Sequence, residues 1–390
     1  MKHTLALLVT ASLAYGITPA TAADLGGDCC ADLEQRVAEL EATTARKGNR
    51  KVSLTVSGQV NTALMYFDPD IDMGPVPTSK WGVIDNGVSN SRISFDGSAK
   101  INAKTSVGFK FEVGRSDLGA LNLDDNLIGG GDGLVVRQAN WHINGSIGRL
   151  TVGKAHTATS GAGQVSVANT GMAVEMLSLE PTSSAQLFGF NVPFRSEVLE
   201  DVVRYDSPVL AGFRLSASFQ DEDAWDAALR YAGELGDFRL AAAIGYAKED
   251  DIDLGIATIP SFPGVNIETT TLTGSASLMH TPTGLFLNGA YGKADVDVNS
   301  SSIDVTAWHI MGGIERKWWS IGKTTLYGEY ASLDIGEMEV TPTLWGVGFI
   351  QEVEAAATDF YVTARVHDLD LDISDEPTPV SVIAGARIKF

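Results

Sequence analysis

The 390-residue sequence is poor in cysteine, in positive charge and in long apolar runs, and each shortage excludes something. Its two cysteines, Cys29 and Cys30, are adjacent, so no disulfide framework ties distant parts of the chain together. Neighbouring α-carbons stand about 3.8 Å apart, closer than a relaxed bridge prefers, which leaves a link between subunits or free thiols. Lysine and arginine total 28 against 49 acidic residues, a formal charge of −21. That balance argues against nucleic acid, which needs a basic footprint. The apolar run at 5–15, with Lys2 before it and Ala20-Thr21-Ala22 after it, reads as a secretory signal over residues 1–22, cleaved before Ala23. Its core is shorter than the roughly 20 residues of a spanning helix, and no later run approaches that length. If the remainder enters a membrane, it crosses as strands.

Signatures of catalysis are equally thin. The histidines at 3, 142, 156, 280, 309 and 367 show no metal-ligand spacing. Gly114-Arg115-Ser116-Asp117-Leu118 lacks the closing glycine of a nucleophile elbow, and no helix follows the glycine cluster at 129–133. Asp68-Pro69-Asp70-Ile71-Asp72 opens like a calcium loop but places Met73 where glycine belongs and Ser79 where the bidentate acid belongs. The expectation is a protein that is not an enzyme and carries neither cofactor nor metal.

What the chain does contain is alternation. In the last stretch Val382, Ala384, Ala386, Ile388 and Phe390 interleave with Ser381, Gly385, Arg387 and Lys389, with Ile383 out of step. Period 2 with one apolar and one polar face is a strand between oil and water. A strand at the chain end has a free edge unless it pairs, and pairing with the first strand closes a barrel. That first strand begins at Lys51. Val52, Leu54, Val56, Val60, Leu64 and Tyr66 lie on one face, and Ser53, Thr55, Ser57, Gln59 and Asn61 on the other. A polar stretch over 68–90 follows, then strands at 92–101 and 105–113 joined by a short turn at Asn102-Ala103. Further strands are expected at 134–143, 149–154, 201–206, 213–220, 225–231, 238–246, 270–279, 285–291, 305–314, 324–330, 345–353, 360–367 and from 380. The total is about sixteen, with short turns at one end and long loops at the other, as in outer-membrane barrels. Aromatic residues near strand ends, among them Tyr66, Trp225, Tyr246 and Trp345, suit interfacial girdles.

Two segments depart from this rhythm. Over 28–47, Cys30, Leu33, Val37, Leu40 and Thr44 recur at alternating spacings of three and four, a short coiled-coil seam that needs partner helices for stability. Residues 23–50 are therefore read as a periplasmic segment ahead of a barrel over 51–390. The connection at 155–200, rich in small residues, is too long for an idle loop, and folded inward it would narrow an open interior.

The signal, the acidic heptad region, Gly48-Asn49-Arg50-Lys51 before the first strand, Gly148-Arg149-Leu150-Thr151-Val152-Gly153-Lys154 before the third long loop, Tyr205-Asp206-Ser207-Pro208 after it and terminal Phe390 together resemble the general porins of alphaproteobacteria, of the Rhizobiales type. The resemblance implies a homotrimer of sixteen-stranded barrels in the outer membrane, set among its lipid and lipopolysaccharide. Each barrel would be a water-filled pore for passive diffusion of small hydrophilic solutes and ions, with the 155–200 loop as constriction. It further implies that Phe390 is read by the outer-membrane assembly machinery and that Ala23, as mature terminus, can be joined to peptidoglycan. Alternation points Arg92, Lys100, Arg204, Arg214, Arg230, Arg239, Arg365, Arg387 and Lys389 toward the lumen, with Glu175, Glu180 and Arg195 on the loop. A cationic wall opposite loop acids sets a transverse field. A substrate-selective channel and a barrel-anchored adhesin or tether are the alternative readings.

Overall fold

The computed structural model describes residues 51–68, 70, 80–115, 133–171, 193–195, 197–220, 224–250, 267–298, 301–336, 341–368 and 378–390. The signal, the coiled-coil segment with Cys29 and Cys30, and loop residues Glu175 and Glu180 lie outside them.

Seventeen strand segments follow one another: β1 (Ser53–Asp68), β2 (Lys80–Asp85), β3 (Arg92–Lys100), β4 (Ser106–Arg115), β5 (Leu134–Gly145), β6 (Gly148–His156), β7 (Leu199–Asp206), β8 (Phe213–Phe219) and β9 (Trp225–Leu235), then β10 (Phe238–Asp250), β11 (Ile267–His280), β12 (Leu285–Val298), β13 (Ser301–Trp319), β14 (Gly322–Ile335), β15 (Thr343–Val353), β16 (Thr358–Asp368) and β17 (Val380–Lys389). All pairings are antiparallel, and β1 meets β17 from Gln59↔Lys389 to Asp68↔Val380, so the sheet closes on itself. On its other flank β1 pairs first with β3, over Ser53–Gln59, and then with β2, over Thr62–Phe67. Segments β2 and β3 thus share one stave, and the wall is a closed barrel of sixteen staves. Closure is sealed by Gly58 and Phe390, whose backbone N–H groups each donate to the other's carbonyl at 2.9 and 3.0 Å.

Segment β2 corrects the expectation of an uninterrupted polar stretch over 68–90. It has only six residues, too few for a periodicity to stand out, yet Trp81 and Val83 point outward and Ile84 and Asp85 inward. Between β2 and β3 the chain makes a 3-10 turn at Gly87–Ser89 that folds to the inside. There Gln59 Nε2 donates to the carbonyls of Ser89 and Asn90, and Asn61 Nδ2 to that of Ser89.

The outward face presents a band of exposed large apolar side chains, including Val60, Leu64, Phe111, Leu229, Ile244, Leu287, Ile310 and Val347. In water so continuous a patch would drive aggregation, whereas hydrocarbon covers it without cost. Ring pairs edge the band. Tyr66–Trp81, Trp225–Tyr246 and Tyr330–Trp345 pack with centroids 4.9, 5.6 and 4.3 Å apart on the long-loop side, and Phe213–Tyr231 and Phe238–His280 at 4.7 and 5.0 Å on the short-turn side. From Phe238 to Tyr246 a strand advances about 26 Å, or about 20 Å along the axis at a tilt of about 40°. That is close to the apolar height of an outer-membrane barrel.

Beyond the upper girdle the alternation inverts. Lys293, Asp295 and Asp304 join in ion pairs on the outside, while Val296, Val305, Leu333, Ile335 and Leu344 are buried inside. This inversion is why β12, β13 and β14 outrun the ends expected for them: their outer halves are polar outward, so a search for an apolar outward face stops too soon. The inner face is likewise less uniform than expected. Past Asn61 it continues with Ala63, Met65 and Phe67, which cluster with Ile84, Met279, Phe286, Met311, Tyr361 and Ile383. Ile383, out of step in the sequence, belongs to that inward cluster.

Candidate functional site: the lumen and its inserted loop

The connection between β6 and β7 turns into the barrel, and its described residues 157–171 are fastened to the wall. At its root Asp226, fully buried on β9, accepts the backbone N–H of Ala158 at 3.1 Å and of Thr159 at 2.7 Å, together with the Thr159 hydroxyl at 2.6 Å. Ser218 Oγ also accepts from Ala158 N, at 2.8 Å. Arg204 Nη1 donates to the carbonyls of His156 and Thr157 at 3.0 and 2.9 Å, and Arg230 Nη2 to that of Ser160 at 2.8 Å. Farther along, Val165 N and Val167 N donate to Ser275 Oγ and Ser277 Oγ on β11, each at 2.9 Å. Asn169 N then donates to Glu315 on β13 at 2.7 Å, and its amide reaches Asp359 on β16 at 3.3 Å. The loop therefore runs from the β8–β9 wall round to β16. Wall hydroxyls and carboxylates take the place of the sheet partners its backbone lacks, which meets the demand that buried N–H groups be bonded.

Small residues make the close approach feasible. A Cβ on Gly245 of β10 would stand 2.7 Å from Thr159 Cγ2, and one on Gly292 of β12 would stand 2.4 Å from the Pro193 carbonyl. On the returning limb Phe194 enters the apolar cluster of Val305, Ala307, Leu333 and Leu344. Beside it Arg195 holds both oxygens of Glu249 at 2.7 Å and reaches Thr159 Oγ1 at 2.6 Å. This fork-to-fork pairing fixes the two limbs to each other and to β10.

Of the residues the sequence nominates, Arg204 and Arg230 hold the loop root and Arg195 braces its return. Arg92, half-buried on β3, donates to Asn90 Oδ1 at 3.2 Å. Arg387 binds Asp359 at 2.8 Å and Ser89 Oγ at 3.1 Å, and Lys389 shares Asp359 at 3.0 Å. Arg365 points inward but is sealed at 1% exposure against Glu329, 3.0 Å away, so its charge does not face open lumen. Lys100 is exposed at the short-turn end of β3, and Arg239 lies near Glu234 in the same zone. Arg214 faces the lumen from β8.

Alternation alone passed over the inward carboxylates Glu112, Asp226, Glu249, Glu315 and Asp359. They share the faces of the chosen cations, and asking which acids occur at the same parity would have found them. Arg137 is different. A register shift between Glu112↔Gln138 and Val113↔Val136 turns it inward against the period, where it binds Glu112 at 3.0 Å and also Glu197 at the loop's return.

Over residues 6–370 the sequence matches the model of a family described as Gram-negative porin. No curated protein matches it significantly. Among solved structures it is similar to the trimer form of OmpT, an outer membrane protein of Vibrio cholerae, with TM-score 0.55 and 18% identity over 87% of this chain and 99% of that one. It is also similar to the outer membrane channel DcaP of Acinetobacter baumannii, with TM-score 0.57 and 14% identity over 88% and 99%. For OmpF of Salmonella typhi in complex with daunomycin the values are 0.53 and 12%, over 88% and 99%. At such identities these likenesses speak for the fold. A family match along nearly the whole chain, joined to a closed barrel with an apolar belt and a loop drawn into its lumen, makes this protein a member of the Gram-negative porin family, a channel of the bacterial outer membrane.

Proposed function

We propose that the channel serves general passive diffusion of small hydrophilic solutes and ions, with the 155–200 loop as its constriction. The observation that carries this reading is the path of residues 157–171, bonded to β8, β9, β11, β13 and β16 while charged side chains remain on the inner wall. A loop held at so many points narrows the passage without acting as a swinging lid. The lumen-facing cations, chief among them Arg92, Arg204, Arg214, Arg230 and Arg387, set a field across it against inward acids such as Glu112 and Asp359. We read the protein as a conduit with no chemistry of its own, of the alphaproteobacterial type. It acts as a homotrimer embedded in outer-membrane lipid and lipopolysaccharide, with Phe390 as assembly signal, residues 1–22 as signal peptide, residues 23–50 as periplasmic segment and Ala23 as a point of peptidoglycan attachment. The trimer form of the similar Vibrio protein supports that stoichiometry.

Refolded protein in planar bilayers should insert in conductance steps grouped in threes, and liposomes containing it should swell in small sugars. Silent bilayers and unswollen liposomes would overturn the reading in favour of a barrel that only anchors.

A further inference from the structure

Four arginines gather on the inner wall between the loop root and the short turns: Arg149 on β6, Arg204 on β7, Arg214 on β8 and Arg230 on β9. The nearby carboxylates are already engaged. Asp206 Oδ1 accepts from Arg204 at 2.7 Å and from Ser216 at 2.6 Å, and Asp226 is taken up by the loop backbone. Arg149 donates to Thr151 Oγ1 at 3.2 Å and lies opposite Asp206. Asp96 also acts on Arg149 but pairs with Lys110 at 3.6 Å.

Arg214 and Arg230 differ from the other two. They stand directly opposite each other in the β8–β9 register, an arrangement of like charges that destabilises a sheet unless something offsets it. Arg214 makes no hydrogen bond or ion pair among the described residues, and its buried Nε has no acceptor. Arg230 spends Nη2 on the loop, and its buried Nη1 has none either. Unanswered guanidinium N–H groups on neighbouring staves complement a compact oxyanion, which accepts several such bonds at once.

We propose that Arg214 and Arg230 form an oxyanion site on the lumen wall, on the periplasmic side of the loop root, selecting solutes of the phosphate type. The inference rests on the channel reading and adds a ligand class to it. An anion that has passed the loop meets this pair, so the channel favours phosphate-bearing solutes over neutral ones of equal size.

The test is block of chloride current by inorganic phosphate added to the periplasmic side of a bilayer. The wild type should show saturable block. The R214Q/R230Q variant should need about 10- to 100-fold more phosphate for half block, the loss expected when charge-assisted hydrogen bonds vanish. Arg214→Gln alone should shift block in the same direction, and because Arg214 has no hydrogen bond to lose among the described residues, that variant should fold. Block that is absent in the wild type, or identical in wild type and variants, overturns the site while leaving the channel intact. A wild-type protein that carries no current at all overturns the channel reading beneath it.

Discussion

Asp226 shows how one side chain can decide the state of a lumen. It has no exposure, and its two oxygens accept from two backbone N–H groups and from the hydroxyls of Thr159 and Ser218 at the point where the loop leaves the wall. Replacing it with alanine strands the Thr159 N–H and hydroxyl at roughly 1–3 kcal/mol each, whereas the Ala158 N–H keeps Ser218 Oγ, and asparagine keeps one acceptor oxygen and loses less. Asp226→Ala should therefore raise single-channel conductance and expose residues 157–171 to protease, with Asp226→Asn between it and the wild type. Unchanged conductance and unchanged cleavage would show that the loop stays put without this anchor. At this scale parity in the sequence placed the cations on the inner face, because a strand leaves a side chain only two directions. It did not tell Arg214, without a hydrogen bond or ion pair among the described residues, from Arg365, sealed against Glu329, since partners come from staves far apart in the chain.

Among the elements, the inserted loop stood out by its length and small residues, and only the family resemblance implied that it is the constriction. Its composition of Gly, Ala, Ser and Thr gave no hydrophobic period, and its course depends on acceptors supplied by β8, β9, β11, β13 and β16. The wall is shaped to receive it, and Gly245 offers a direct test. Valine at that position would drive a side chain into Thr159, where a Cβ alone already approaches to 2.7 Å. Gly245→Val should alter conductance and increase current noise, while the barrel's resistance to denaturation falls only modestly, by the roughly 1–3 kcal/mol typical of overpacking. Loss of the folded barrel in this variant would mean that the loop is part of the fold and not an insertion into it. Segment β2, which completes the stave of the expected β3, went unread for a related reason: six residues carry too short a pattern, and only their pairing with β1 identifies them as strand.

For the molecule as a whole, closure is the essential condition. Without β17, both β1 and β16 would present unpaired backbone groups to lipid, where each costs several kcal/mol. Removing residues 380–390 should abolish the compact, heat-modifiable form seen on gels and leave only protein that dissolves in urea; a truncated chain that still migrates as a folded barrel would refute closure through β1 and β17. By itself the sequence determined the wall: strand count, inward and outward faces, short turns against long loops. Each of these follows from a two-residue period between oil and water that is written locally. The tertiary structure decided what fills the wall: the path of 157–171, the inward turn at 87–89, the apolar patch around Met65 and Phe67, and the pairing of acids with bases. Those depend on which staves the curvature of the barrel brings face to face, and no local period encodes that.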